Sequence, residues 1–435
     1  MLAAMASSPS SPQAMTAARE RGDACPGTLR LHAADDGALA RVRVPGGVVT
    51  AAQAEALAAA ARRLGDGDLH LTSRGNVQLR GLRESCGAEL AEVLGAAGLL
   101  PAPGHERVRN VVASPLSGLD GRGLRDVRPW LVALDRSLCA SGEARELSGR
   151  FLFALDDGRG DVAGLGADVT VRATAGGGAV LCLGSTGAVL RVSGDEAPRA
   201  AVLAAEVFLA TVRASGTLVW RVDELSVSAD ALASEVRRRL SESGIDVDGA
   251  AQREPVDTTG PAPGSSGDAL SVHVPLGRLS AAQWGELVGV AAASPSSGEL
   301  RLTPWRGVVV PVPDLDAPRA ATALDRLEAV GLVVDPASPW LRVGACVGRP
   351  GCAKSRTDVR ADATRALVAV GRAPLPVYWS GCERRCGRPR GDLIDAVAAP
   401  DGGYRLTAAV RGRDPRTAPL DDPSHFATAL AAIAP

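Results

Sequence analysis

Four of the eight cysteines in this 435-residue chain fall into two close pairs. Cys346 and Cys352 enclose Val-Gly-Arg-Pro-Gly, and Cys382 and Cys386 enclose Glu-Arg-Arg, with 29 residues between the pairs. Four thiolates gathered in a reducing compartment point to a metal centre rather than to disulfides. Structural zinc favours C-x2-4-C loops, which the five-residue loop fits poorly. An iron–sulfur cubane is larger and takes its four thiolates from more widely spread loops. The spacing favours the cubane and leaves zinc open. Both pairs sit among Gly, Pro and Arg: Gly lets backbone approach sulfide closely, and basic neighbours lower a thiol pKa. Lys354 lies beside Cys352 and, with Arg356, would offset thiolate charge. Cys25, Cys86, Cys139 and Cys182 are scattered and read as ordinary buried thiols.

The segments that must position these cysteines come in two copies. Val42–Gln53 (VRVPGGVVTAAQ) returns as Val272–Gln283 (VHVPLGRLSAAQ). Leu69–Thr72 matches Leu300–Thr303, Arg74-Gly75 is paired with Arg306-Gly307, and Leu90–Leu99 aligns with Leu324–Leu332. Each copy reads as a strand (Leu39–Val44; Ala269–Val274), then a helix opened by a capping box. Thr50-x-x-Gln53 and Ser280-x-x-Gln283 satisfy orphan backbone donors reciprocally. Two strands follow (Leu69–Thr72 and Val77–Leu82; Leu300–Thr303 and Val308–Val312), and then a second helix. That order predicts an antiparallel α+β layer with helices on one sheet face. The paired cysteines all follow the second copy, whereas Arg109–Pro115, after the first, has none.

Composition bounds the rest. The net charge of −1 carries no nucleic-acid footprint, and no apolar run is long enough to span a bilayer. Residues 1–22 read as a flexible tail without the basic start of a signal peptide, so a cytoplasmic location is expected. Lys354 is the single lysine among 48 basic residues, which leaves 47 arginines. Residues 23–105 form the first half-domain and 106–248 an α+β domain after it. Gly249–Asp268, rich in Gly, Pro, Ser and Thr, reads as a linker. Residues 269–335 form the second half-domain, and 336–435 carry the cysteines.

These motifs resemble the sulfite/nitrite reductase superfamily. Its A-C-x5-C … G-C-x3-C-G-R signature stands here as Ala345-Cys346…Cys352 and Gly381-Cys382…Cys386-Gly387-Arg388. A tetrapyrrole-binding strand is recognisable in Leu71–Gln78, and an Arg-Asn-Val motif at Arg109-Asn110-Val111. The resemblance runs from about Cys25 to about Val410. It implies duplicated ferredoxin-like half-domains plus iron–sulfur-binding domains, related by a pseudo-twofold axis. Ala24–Gly27, Asp36-Gly37 and Arg41–Gly47 add a likeness to the precorrin-3B synthase family. That likeness implies a monooxygenase hydroxylating precorrin-3A at C20 with γ-lactone formation. It also implies a [4Fe–4S] cluster, a mononuclear non-haem iron, O2 and a separate electron donor, either a ferredoxin or an NADH-dependent reductase. No G-x-G-x-x-G run would bind NADH directly.

The alternatives are a sirohaem-dependent nitrite or sulfite reductase and a zinc-stabilised binding protein. Sulfite reductases hold their anion with a basic-x-basic pair. The comparable stretch here, Leu147-Ser-Gly-Arg-Phe-Leu152, keeps Arg150 and has Leu152 for the second cation, which disfavours sulfite. A precorrin is a polycarboxylate, and Arg binds carboxylates through bidentate, charge-assisted bonds. Arg74, Arg80, Arg109, Arg150 and Arg306 are therefore the expected contacts. Asn76 and Gln78 join Arg74 on one face if Arg74–Gln78 is a strand. His32, His70, His105, His273 and His425 form no 2-His-1-carboxylate motif, so catalytic residues and second-iron ligands stay unassigned.

Overall fold

A computed structural model describes residues 26–433 except 186–188, 251–255, 257 and 390; the expected tail (1–22) and Cys25 lie outside them. The first half runs β1 (His32–Ala34), β2 (Gly37–Val42), β3 (Val48–Thr50), α1 (Ala51–Leu64), β4 (Leu69–Leu71), β5 (Val77–Leu82) and α2 (Gly87–Ala96). A larger unit follows, with β6 (Val111–Ala113), α3 (Arg128–Ala140), β7 (Phe153–Asp156), β8 (Val169–Ala173), β9 (Gly178–Leu183) and β10 (Val189–Ser193). It ends in α4 (Ala197–Ser215), α5 (Ala229–Glu242) and β11 (Asp248–Ala250). The second half repeats the plan with β12 (Gly264–Ser266), β13 (Ala269–His273), β14 (Arg278–Leu279), α6 (Ala281–Ala292), β15 (Glu299–Leu302), β16 (Gly307–Pro311) and α7 (Ala317–Ala329). Last come β17 (Val343–Ala345), α8 (Val359–Arg365), α9 (Leu367–Val370), β18 (Val377–Ser380), β19 (Leu393–Ala398), β20 (Tyr404–Ala409), β21 (Arg416–Leu420) and α10 (Phe426–Ile433).

Both capping boxes form: Thr50 and Ser280 each accept from the Gln three residues on, whose amide returns the bond. The two half-domain sheets have the orders β1-β2-β5-β4-β14 and β12-β13-β16-β15-β3. Each half therefore lends one short strand to the other. Arg278 and Leu279 pair with His70 and Leu69, while Val48–Thr50 pair with Arg301–Glu299. The apolar faces merge into one core, in which Leu57, Leu79, Trp284, Leu287 and Leu300 are all buried. The Trp284 indole N–H crosses between the halves to donate to the Ala54 carbonyl at 2.8 Å.

The two larger sheets also correspond. Strands β6-β7-β8 are parallel, and β9 and β10 continue antiparallel. Strands β17-β18-β19 are parallel, with β20 and β21 antiparallel. Loops leaving the C-terminal ends of parallel strands sit side by side, and those are the loops that carry the paired cysteines. Where the expected linker is described it is partly strand: Gly249 and Ala250 belong to β11, and Gly264–Ser266 pair in register with Ser271–Ala269 and extend the second sheet, while 251–255 and 257 lie outside the described residues. The turn at Gly267 (φ +55) closes that hairpin. Among the described residues, no helix is long and apolar enough to cross a membrane.

The shared core makes a prediction about cooperativity. Trp284→Ala should cost roughly 3–5 kcal/mol, as large-to-small changes at buried aromatic sites do, and should loosen both halves together. Chemical denaturation with hydrogen-exchange readout of α1 and α6 checks this. Loss of protection confined to α6 would show that the halves are separable.

Candidate functional site

The loops after β17 and β18, together with both half-domains, enclose a cavity of about 400 Å³. Cys346, Cys352, Cys382 and Cys386 all line it. The first half contributes His32, His70, Gln78 and Arg80, and the second Leu276, Gly277 and Arg306. The cysteine loops are pinned at both ends. The Cys346 amide donates to the Trp379 carbonyl at 2.9 Å, and the Gly381 amide donates to Cys346 Sγ at 3.3 Å. Gly351 is needed where it stands, since a Cβ there would come within 2.8 Å of Asp36 Oδ2.

Thiolates around a single zinc at about 2.3 Å must lie roughly 3.8 Å apart. Among the described residues, no three of these sulfurs lie within 4.8 Å of one another. Burial pushes the Cys346 and Cys386 thiols up, and the neighbouring cysteines push in the same direction. A bound metal would reverse this by holding the sulfurs as thiolates.

The corresponding loops of the first copy are built without sulfur. The Ser114 amide donates to the Leu155 carbonyl, and the Asp157 amide donates to Ser114 Oγ at 3.1 Å. Ser114 thus holds the place of Cys346. Arg159 bridges Asp157 and Asp120, and Ser114 Oγ donates to Asp161 at 2.6 Å. Asp156 accepts from four backbone amides, those of Gly158, Gly160, Val162 and Ala163. Burial, above all, pushes the Asp161 carboxyl up to about 7.

The expected arginine contacts divide sharply. Arg80 lines the cavity, yet its guanidinium makes a bidentate pair with Asp36 (2.7 and 2.8 Å) and reaches the Gly351 carbonyl at 2.8 Å. It ties the first half to the cysteine loop. Arg109 is a correction: it is buried, makes a bidentate pair with Asp135 (2.7 Å) and also donates to the Leu99 carbonyl. Arg150 is another, because its guanidinium stacks over Trp220 at 4.4 Å. Neither lines the cavity. Arg74 is buried and donates to the Gly149 carbonyl at 3.4 Å.

The expected Arg74–Gln78 strand face does not form either. Thr72 accepts from the Asn76 amide through its hydroxyl and donates to its carbonyl, closing a turn, so β5 begins only at Val77. Asn76 is fully buried, bonded to Asn110 Oδ1 and the Val44 amide, which leaves Gln78 alone of the three on the cavity. Lys354 lines the cavity, whereas Arg356 turns away to the Ala398 carbonyl. The repeat pairing also shifts by one residue. Thr303 closes the same turn on Gly307, so Arg306 (φ +60) occupies the position of Gly75 (φ +65) rather than that of Arg74.

Arg360 was not anticipated. It lines the cavity from the start of α8, and its Nε is shielded from water with no hydrogen-bond partner. No carboxylate among the described residues pairs with it, and burial plus the charges of Arg306, Arg278 and Arg80 push its pKa down to about 10. Arg384 and Arg385, inside the second cysteine loop, also line the cavity. The available signal was periodicity: Arg360 stands eight residues after Cys352, where only a fold can say which way it points. His70 is buried on β4 with Nδ1 unpartnered and Nε2 3.4 Å from Asp66.

Two ferredoxin-like halves that exchange strands, each followed by a parallel-sheet unit with one unit bearing four thiols, define a class. The nitrite/sulfite reductase ferredoxin-like half-domain family matches residues 32–97 and 263–329, the two halves that exchange strands. The solved structure of Mycobacterium tuberculosis NirA shares the fold, with a TM-score of 0.67 at 19% identity over 90% of this chain and 79% of that one. More particularly, the chain resembles a precorrin-3B synthase from Sinorhizobium sp, at 28% identity over 91% of this chain and 85% of the relative. It is also 28% identical to the ferredoxin–nitrite reductase of Synechococcus elongatus, over 81% of this chain and 74% of that one.

Two predictions follow from the buried charges. Arg109→Ala leaves Asp135 unpaired and should cost roughly 1.5–3 kcal/mol of stability, while the metal content of the folded protein stays unchanged. Calorimetry with metal analysis tests this; weaker binding of an octacarboxylate porphyrin without any destabilisation would instead make Arg109 the substrate contact the sequence suggested. For Asp161, a folded pKa raised above the ordinary value means that the unfolded chain gives up its proton first. Stability attributable to this group is therefore present below about pH 4 and is lost as pH rises towards about 7, with a slope approaching 1.4 kcal/mol per pH unit. Asp161→Asn should flatten that part of the stability–pH profile.

Proposed function

We propose that this chain is a [4Fe–4S] oxidoreductase acting on a polycarboxylate tetrapyrrole, as a precorrin-3B synthase does. The reaction is the O2-dependent hydroxylation of precorrin-3A at C20 with γ-lactone formation. A separate ferredoxin or NADH-dependent reductase supplies electrons. The observation that carries the reading is Arg360. A guanidinium held against a cavity beside other cations, without a counter-ion, is costly unless a ligand anion completes it. Arg306, Lys354 and Arg80 surround the same space. Several peripheral carboxylates on one ligand match several cations on one wall.

Cys346, Cys352, Cys382 and Cys386 would hold the cluster, which supplies one-electron transfer at the edge of the cavity when bound. The remaining work falls to the chain's own side chains. Arg360 and Arg306 bind and orient carboxylates, and Leu276 and Leu39 exclude water from the apolar ring. His70, anchored by Asp66, presents an unpartnered nitrogen.

The second reading is a sirohaem-dependent nitrite or sulfite reductase, which the cyanobacterial and plant relatives favour. Against a small-anion cage, Arg150 is spent on Trp220 and Leu152 is buried in an apolar cluster with Val112 and Ala154. A zinc-stabilised binding protein fits the sulfur spacing worst.

Anaerobic reconstitution should bring iron and acid-labile sulfide to about four each per chain, and any of the four Cys→Ser changes should lower both. The visible spectrum should be a broad brown shoulder; an intense Soret-type band in purified protein would favour the sirohaem reading instead. Arg360→Ala should weaken binding of an octacarboxylate porphyrin, used as a stable probe, by roughly ten- to a hundredfold. Stoichiometric zinc without sulfide, or no porphyrin binding at all, would overturn the proposal.

A further inference from the structure

The turn between β15 and β16 carries an expensive residue. In the first half the equivalent turn places Gly75 at φ +65, where the absence of a Cβ makes the left-handed conformation free of strain. The second half places Arg306 there at φ +60. A non-glycine residue in this region costs of order 1 kcal/mol or more and persists when its surroundings hold it. Here the surroundings are cut to fit the side chain. A Cβ on Gly277 would come within 2.8 Å of Arg306 Cδ, and one on Gly344 within 3.3 Å of Nη1. A Cβ on Gly387, the residue after Cys386, would come within 3.7 Å of Nη2. Three glycines from three segments thus form a slot that leads the side chain out of the second half-domain to the Cys382–Cys386 loop.

The guanidinium ends 5.9 Å from the ring centroid of Tyr378, a cation–π distance. Tyr378 is buried, and its hydroxyl donates to the Cys386 carbonyl at 2.6 Å. The chain from Arg306 through Tyr378 to the Cys386 backbone is continuous, and no carboxylate among the described residues pairs with Arg306 to cancel its charge. Lys354 is exposed, so water and salt screen its charge far more.

We infer that Arg306 is a positioning residue for the metal centre: threaded through the glycine slot against Tyr378, it fixes the Cys386 loop and raises the reduction potential of the cluster. The physical reason is that one-electron reduction adds negative charge at the thiolate site, and a fixed cation stabilises the reduced form relative to the oxidised one. The inference rests on the proposal that the four cysteines bind a [4Fe–4S] cluster. It gives Arg306 a task in addition to holding substrate, and that task is read out in substrate-free protein.

The test is a dithionite redox titration of the substrate-free holoprotein, followed by electron paramagnetic resonance, with iron and sulfide content measured on every sample. Arg306→Asn suits the left-handed backbone and removes the charge. Arg306→Gln keeps a longer neutral side chain in the slot, and Arg306→Lys restores the charge. The expected result is that Asn and Gln lower the midpoint by at least a tenfold shift in the reduction equilibrium, which is 59 mV for a one-electron couple. Lys should stay within threefold of wild type. If both neutral variants lose the cluster while Lys retains it, the charge requirement is supported by loading instead of potential. Fully loaded Asn or Gln variants at the wild-type potential would overturn the inference and leave Arg306 a mere strut. Wild-type protein that takes up no iron and sulfide would defeat the cluster proposal itself, which is a separate result.

Discussion

Each ferredoxin-like half completes the other's sheet, Val48–Thr50 pairing with β15 and Arg278–Leu279 pairing with β4, and the cavity inherits its position from that exchange. The exchange works only at very short range. A Cβ at Gly47 would fall 1.9 Å from the Leu302 carbonyl, and one at Gly75 would fall 2.8 Å from the same oxygen. Backbone therefore meets backbone across the pseudo-twofold axis, with no side chain to cushion the contact. Such a joint is stiff, because neither sheet can slide without breaking ladder hydrogen bonds in the other. It also carries the β4–β5 and β15–β16 turns towards the cysteine loops.

Within that frame the two parallel-sheet units have diverged at the same two loops. One gathers four thiols; the other places Ser114 and a carboxylate–arginine network where sulfur would be. Both solutions manage the same difficulty, since loops at the ends of parallel strands bring buried polar groups together. In the first unit the charges cancel internally, through Arg159 with Asp120 and Asp157. In the second, burial holds the Cys346 and Cys386 thiols towards their neutral form, and the proposed metal would take the place of that internal cancellation.

The arginines illustrate how little residue type alone decides. Arg80, Arg109 and Arg159 each end in bidentate or bridging pairs with aspartates and act as struts. Arg360 and Arg306 have the same chemistry without an acidic partner among the described residues, and the ligand-binding and charge-setting roles proposed for them rest on that difference. It depends on whether an aspartate from a distant segment lies within about 3 Å, a property no local window of sequence contains. Arg109 was the clearest case: its motif is recognisable, yet its partner Asp135 lies a full helix away.

Sequence by itself determined the cysteine spacing, the duplication and both capping boxes, because each depends on residues close together in the chain or on self-similarity between copies. The helices began where Thr50 and Ser280 said they would, since a cap is satisfied within four residues. The strand exchange, the turn at Thr72–Asn76 and the one-residue shift that sets Arg306 opposite Gly75 were decided by tertiary structure. So were the pairing of Arg109 with Asp135 and the place of Arg360 on the cavity wall. In each case the cause is a contact between segments far apart in sequence: backbone against backbone at the pseudo-twofold axis, or a guanidinium that finds, or fails to find, a carboxylate.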